Sequence, residues 1–415
     1  MFEIKGKYNT AVCYASVVEE EAIQQIRRMC DYEFTEGSCI RIMPDVHAGK
    51  GCTIGTTMTV KDKAVPNVVG VDIGCGMYTV KLGLAELDLA RLDEAAHFIP
   101  SGMSVWNERQ EPFDLKDLRC YESLKHHTYL ECSLGTLGGG NHFIEVDVSQ
   151  DGNKYLVIHS GSRNLGKQVA EHYQRLAVAL NKGMPQSLEQ QKRIIEEYKA
   201  AGRQRELQQA LQELRWQNRQ TTIPEDLCFV YGAYLKDYLH DVELCQRFAR
   251  RNREKMAQIL LSRCEMSGLD AFHTIHNYID TSEMILRKGA IAAHAGERVL
   301  IPINMRDGSV LAVGRGNPEW NYSAPHGAGR VLSRSAALKQ LDLEEYRRQM
   351  AGIYTTSVNE ATLDEAPMAY KRLEDIIGVI KDSVDVVEVL KPIYNYKACW
   401  YNNEAVSNIA NNPAF

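Results

Sequence analysis

The sequence predicts a protein of segregated strands and helices, with β-rich first and last thirds around a helical middle. Three observations carry that reading. Short apolar and β-branched runs punctuated by glycine recur near both ends of the chain. A stretch rich in Glu, Gln, Arg and Leu, with apolar residues at helix spacing, fills the centre. Polar, glycine-rich motifs follow the predicted strands, as in sites built on loops carried by a rigid sheet.

In chain order, strands are predicted at residues 39–43, 53–60 and 77–82. Residues 155–158 read as a buried strand running into His159. Residues 187–220 read as a helical hairpin, because Leu207, Ala210, Leu211 and Leu214 fall on one helix face and Gly202 interrupts the run. A second long helix is predicted from residue 227 to about residue 262. Strands resume at residues 299–303 and 309–313, separated by Asn304-Met305-Arg306-Asp307-Gly308. No long linker, low-complexity segment or internal repeat divides the chain. The polar motifs run from Asp45 to His326, so one domain over residues 1–415 is expected, with the helical insertion at about 187–220.

A hydrophobic fraction of 44% and a charged fraction of 25% fit an ordinary globular protein. No apolar run approaches a membrane span, and the start MFEIKGKYNT has no signal-peptide apolar region, so the cytoplasm is the expected location and no membrane partner is expected. The net charge of −6 does not advertise nucleic-acid binding. Local clusters still exist, at Arg247, Arg250, Arg251, Arg253 and Lys255, and at Arg330 and Arg334. A basic groove can hold phosphates on an acidic protein, but the 247–255 cluster alone reads as a solvated helix face. The eleven cysteines are scattered and odd in number, which argues against a disulfide framework. All but Cys75 read as small core hydrophobes.

Cys75 lies in Gly70-Val71-Asp72-Ile73-Gly74-Cys75-Gly76-Met77, where a carboxylate and a thiol share one tight loop. Both can ligate a metal, and a thiolate can bridge two. Most histidines read as ordinary core or surface residues. His142, His159, His276 and His326 differ, each lying beside Gly, Ser or Asn. Imidazoles with Asp72 and Cys75 supply enough donors for two divalent cations, and the mixed O, N and S set suits Mn²⁺, Zn²⁺ or Fe²⁺. Paired metals usually serve phosphoryl chemistry. Glycine-rich loops let backbone N–H groups approach phosphate oxygens, and Arg163 and Arg330 would add forked donors. One histidine is then in excess. His326, in a Gly/Ala-rich loop, is a candidate nucleophile toward phosphorus.

Taken together, the ordered motifs resemble the RtcB family of GTP-dependent RNA ligases. They are PDVHAGKG at 44–51, GVDIGCGM at 70–77, GGGNHFIE at 138–145, HSGSR at 159–163, ARRNR at 249–253, HN at 276–277, RKGA at 287–290 and HGAGR at 326–330. The resemblance implies an α+β fold, with β-sheets around a deep two-metal cleft and helices outside. It implies ligation of RNA 3′-phosphate or 2′,3′-cyclic phosphate ends to 5′-hydroxyl ends, with GTP and two Mn²⁺ ions. Asp72, Cys75, His142, His159 and His276 fall on the metal ligands, with Cys75 bridging, and His326 on the guanylylated histidine. Asn141, Phe143, Glu145, Asn277, Ala328, Gly329 and Lys397 fall on guanylate contacts. Arg163 falls on an arginine facing RNA, and Asp45, His47 and Lys50 are expected on the same RNA-contacting side.

Two departures stand out. Ile303-Asn304-Met305-Arg306-Asp307-Gly308-Ser309 replaces a Gly-Ser-Met-Gly-type loop, with Asn304 and Ser309 as the candidate nucleotide ligands there. Residues 398–415 extend beyond the guanine-contacting lysine. Both suggest a divergent branch serving RNA repair rather than tRNA splicing. The alternative reading is a two-metal phosphatase or phosphodiesterase that uses the same cleft without forming a guanylate.

Overall fold

Two sheets carry nearly all the polar motifs. The computed structural model describes residues 1–49, 51–183 and 222–397, with positions 195, 196, 199 and 208 between them. The helical hairpin expected at 187–220, the 398–415 extension and Lys50 lie outside the described residues.

The first sheet has six strands, in the order Phe2–Lys5, Thr10–Cys13, Ile40–His47, Ile54–Thr59, Ile285–Lys288 and Asn277–Asp280. The second has seven, in the order Asp270–Ile275, Gly76–Gly83, Lys154–Ser160, Phe143–Val148, Val384–Lys397, Gly308–Gly314 and Arg298–Asn304. Pairing in both is antiparallel except between Thr10–Cys13 and Ile40–His47. The predicted strands are present with shifted ends. The first runs on through Pro44, Asp45, Val46 and His47, so that motif is itself strand rather than a following loop. Its pairing with Ile54–Thr59 is irregular between Ile42 and His47, which lets proline sit in the run.

The long helix spans Gly232–Arg263, beginning five residues later than expected (232 − 227). Residues Glu225–Leu227 form a short turn, and Val230–Tyr231 pairs with Lys63–Ala64, which commits that backbone to a ladder before the helix can start. Leu235, Tyr238, Val242, Cys245, Phe248, Asn252 and Met256 make its buried stripe at intervals of three and four. That stripe packs on the Arg163–Asn181 helix and on the Lys154–Ser160 strand. The helix therefore backs the sheet directly behind His159 and the Asp72/Cys75 loop. Among the described residues no helix is long and apolar enough to cross a membrane.

Candidate metal centre and nucleotide cleft

One face of the seven-stranded sheet forms the floor of a cleft. Side chains two apart on a strand share a face. Register places Phe143 opposite both His159 and Lys397, Met77 opposite His159, and Glu145 opposite Asn395. All six line a cleft of about 210 Å³, closed by Pro302–Met305 and by His326–Arg330.

At one end the potential ligands converge. Asp72 accepts the Ser162 N–H at 3.0 Å and lies 3.0 Å from His142 Nε2. A β-carbon at position 161 would collide with the Asp72 carboxylate, which is why HSGSR carries glycine there. Cys75 Sγ lies 3.5 Å from His142 Nε2 and 3.3 Å from His159 Nε2. His159 Nε2 lies 3.0 Å from His276 Nε2. The tautomers follow from the opposite ring nitrogens. His142 Nδ1 donates to the Leu137 carbonyl at 2.8 Å, and His159 Nδ1 to the Asn141 carbonyl at 3.0 Å. A carbonyl can only accept, so in the neutral rings both Nε2 atoms turn lone pairs inward.

Burial, then the neighbouring His276 and His142, hold His159 well below the usual imidazole range, and burial with His326 does the same to His276. Burial would raise Asp72, but the hydrogen bond and charge that His142 supplies in its imidazolium form, in place of the neutral ring that binds a metal, hold it low. Burial and the Asp72 charge push the Cys75 thiol far up. A bound cation reverses that last effect, because a coordinating thiol is deprotonated outright. The ligand atoms form two groups, Asp72/Cys75/His142 and Cys75/His159/His276, each within 4.8 Å and sharing Cys75. Neighbouring ligand atoms 3.0–3.5 Å apart fit bonds of about 2.0–2.3 Å to a central ion. The donor set therefore fits divalent cations.

His326 stands beside this cluster, its ring centroid 4.8 Å from that of His276. Its Nδ1 lies 2.7 Å from Asp45 Oδ2, and its backbone N–H donates to the same oxygen at 3.2 Å. Asp45 is fully buried. A buried carboxylate at Nδ1 fixes the proton there and leaves Nε2 as a free lone pair. Asp45, expected among RNA contacts, is thus occupied with His326, and His47 Nδ1 lies 3.0 Å from the Asp45 carbonyl while its ring lines the cleft.

The other expected residues divide. Asn141, Phe143, Glu145, Asn304, Ala328, Gly329 and Lys397 line the cleft. Asn304 turns its amide to its own loop, donating to Asp307 at 2.9 Å and accepting from the Arg306 and Asp307 N–H groups. Ser309 is fully buried behind the wall. The Asn277 side chain accepts the Gly289 N–H and does not reach the wall. Arg163 is half-buried, donating to Thr136 Oγ1 and the Gly102 carbonyl.

Three residues with no expected role hold the site together. Arg253, expected on a solvated face, is fully buried and donates to the Gly74 and Ser160 carbonyls at 2.7 and 2.8 Å. Asn252 beside it accepts from the Gly135 and Thr136 N–H groups and donates to the Gly161 carbonyl. Arg250 and Arg251 pair with Glu254 and Glu111 instead. The signal was present in the sequence, since Asn252 and Arg253 fall in register with Phe248, Ala249 and Met256. Arg253→Leu is expected to lower stability by about 3 kcal/mol, because two buried carbonyls lose their donors. A fall in urea midpoint at unchanged slope checks this.

Glu365 is the third, 2% exposed and 2.7 Å from Lys397 Nζ, with Arg330 and Arg334 also paired to it. Burial would raise its carboxyl, but Lys397, Arg334 and Arg330 hold it down at about 2. A depressed folded value gives stability that is whole above the unfolded value and lost as pH falls through the folded one. Glu365→Gln is therefore expected to cost about 3 kcal/mol at neutral pH. The difference should fade as pH falls from 4.5 toward about 2, in urea titrations at stepped pH.

The family model described as "tRNA-splicing ligase RtcB" matches residues 25–119 and 108–398. The chain is 31% identical to "RNA-splicing ligase RtcB" of Escherichia coli K12 over 91% of its length and 94% of the relative's. It is 26% identical to "tRNA-splicing ligase RtcB" of Aeropyrum pernix over 81% of its length and 83% of the relative's. It is also 25% identical to "RNA-splicing ligase RtcB2" of Escherichia coli ATCC 25922, over 92% and 93%. A family match covering nearly the whole chain, on a cleft that gathers those motifs, places this protein in the RtcB family.

Proposed function

We propose that this chain is a cytoplasmic RNA-repair ligase that joins 3′-phosphate or 2′,3′-cyclic phosphate ends to 5′-hydroxyl ends through a guanylylated His326. The observation that carries the reading is the His326–Asp45 pair, which leaves Nε2 of a cleft-lining ring as the free nitrogen, beside two ligand groups that share Cys75. Asp72, Cys75 and His142 would hold one Mn²⁺, and Cys75, His159 and His276 the other. Bound there, the ions supply charge neutralisation for phosphate oxygens.

His326 Nε2 attacks the α-phosphorus of GTP. The N–P bond forms as the bond to pyrophosphate breaks. An oxygen of the RNA 3′-phosphate then displaces the histidine and takes the guanylate. The 5′-hydroxyl oxygen attacks the activated RNA phosphorus and loses its proton, and GMP leaves. A cyclic end is first opened by water. Asp45 holds the Nδ1 proton throughout. Glu145 and Phe143 face the base, and Lys397 stands 5.2 Å over the Phe143 ring.

Ligation on a panel of broken RNAs with defined ends tests this. Joining of 3′-phosphate to 5′-hydroxyl ends is expected. Loss of the 3′-phosphate without joining would instead support a phosphatase, and joining confined to tRNA halves a splicing role.

A further inference from the structure

Outside the cleft, two aromatic side chains and two cations share one stretch of surface. Phe98 ends the Leu89–Phe98 helix and is 48% exposed. The Arg263 guanidinium lies 3.8 Å over its ring, and the half-buried Trp106 stands beside it with ring centroids 5.3 Å apart. Trp106 is fixed at its polar edge, where Nε1 donates to the Gly135 carbonyl at 3.0 Å. A β-carbon at Gly135 would lie 3.0 Å from Lys255 Cγ and 3.3 Å from Trp106 Nε1, so the Lys255 stem runs alongside the indole. Glu111 and Glu131 nearby are each paired with an arginine, whereas Lys255 and Arg263 pair with no carboxylate among the described residues. Exposed rings beside uncommitted cations supply what a single nucleic-acid strand needs, faces for its bases and charges for its phosphates.

This patch is continuous with the metal centre. The loop that carries Trp106 also carries Gly102, whose N–H donates to the Gly138 carbonyl at 2.8 Å and whose own carbonyl accepts from Arg163 at 2.7 Å. A β-carbon at Gly138 would collide with Arg163 and with His142. Contacts therefore run unbroken from His142 through Gly138 and Arg163 to the loop of Trp106.

We propose that Phe98 and Trp106 form a stacking platform for unpaired bases of an RNA strand whose reacting end lies in the cleft, with Arg263 and Lys255 on its phosphates. This rests on the RNA-ligase reading above and extends it outward from the reacting atoms. Stacking is tolerant of sequence, because every base has a π-face, so the platform suits broken ends of any sequence. It favours single strands, since bases stacked within a duplex cannot splay onto a ring of the protein surface.

Binding of a short single-stranded RNA with a 5′-hydroxyl and a 3′-phosphate, measured without GTP so that nothing joins, tests the platform. An abasic counterpart, with the same phosphates and no bases, is the second probe. Phe98→Ala should weaken the first RNA about tenfold and leave the abasic one nearly unchanged, whereas Phe98→Tyr should keep both. Arg263→Ala should weaken both, and lower the slope of log affinity against log salt by about 0.7. Wild-type affinity of Phe98→Ala for the intact RNA would overturn the proposal. So would an equal loss on both RNAs, which marks a disturbed fold rather than a lost stack. A wild-type chain that binds neither RNA would overturn the RNA reading beneath it.

Discussion

Cys75→Ala is expected to abolish Mn²⁺ binding at both ligand groups together. Cys75 is the one residue common to the Asp72/Cys75/His142 and Cys75/His159/His276 groups. Its sulfur sits between His142 and His159 at 3.5 and 3.3 Å, and alanine leaves no donor there. Each group then falls to two ligands, too few for a divalent ion in water. Cys52→Ala is the matched control. Cys52 is also buried, but its thiol meets the Thr53 and Val68 carbonyls, Thr56 and Lys288 rather than any ligand of the two groups, so its loss should cost about 1 kcal/mol of packing and leave metal content intact. Metal analysis after equilibrium dialysis separates the two. Equal Mn²⁺ content in both variants would remove the shared-thiolate account.

Asp45→Asn is expected to slow guanylylation by about 10³-fold while leaving nucleotide affinity and stability nearly unchanged. The Asp45 carboxylate can only accept, so it holds the His326 proton on Nδ1. Asparagine can present its N–H₂ instead, which moves the proton to Nε2 and blocks the nucleophile. Loss of the correct tautomer costs about 10⁴-fold in a serine protease triad, which sets the scale. Single-turnover labelling with GTP measures the rate, and metal-free nucleotide binding the affinity. A rate within a few-fold of wild type would mean that Asp45 does not govern the tautomer.

The order of elements was legible because strand and helix periodicities differ, and the histidine motifs were legible because each histidine lies beside Gly, Ser or Asn. What the sequence hid were the residues that act through contacts far apart in the chain. Asp45 reads as part of a polar strand end, and only the fold brings it to His326, 281 residues away. Arg253 reads as one more cation in a basic run, until helix register and the sheet behind it turn it inward. Glu365 lies in no motif and gains meaning only from the three cations gathered around it.

The central claim is that His326 carries the guanylate covalently. Incubation with α-labelled GTP and Mn²⁺, followed by denaturation, tests it most directly. Label retained on wild type, absent from His326→Ala and mapped to His326 by peptide mass, is the predicted result. A wild-type protein that carries no label, or a His326→Ala variant that still does, would contradict it.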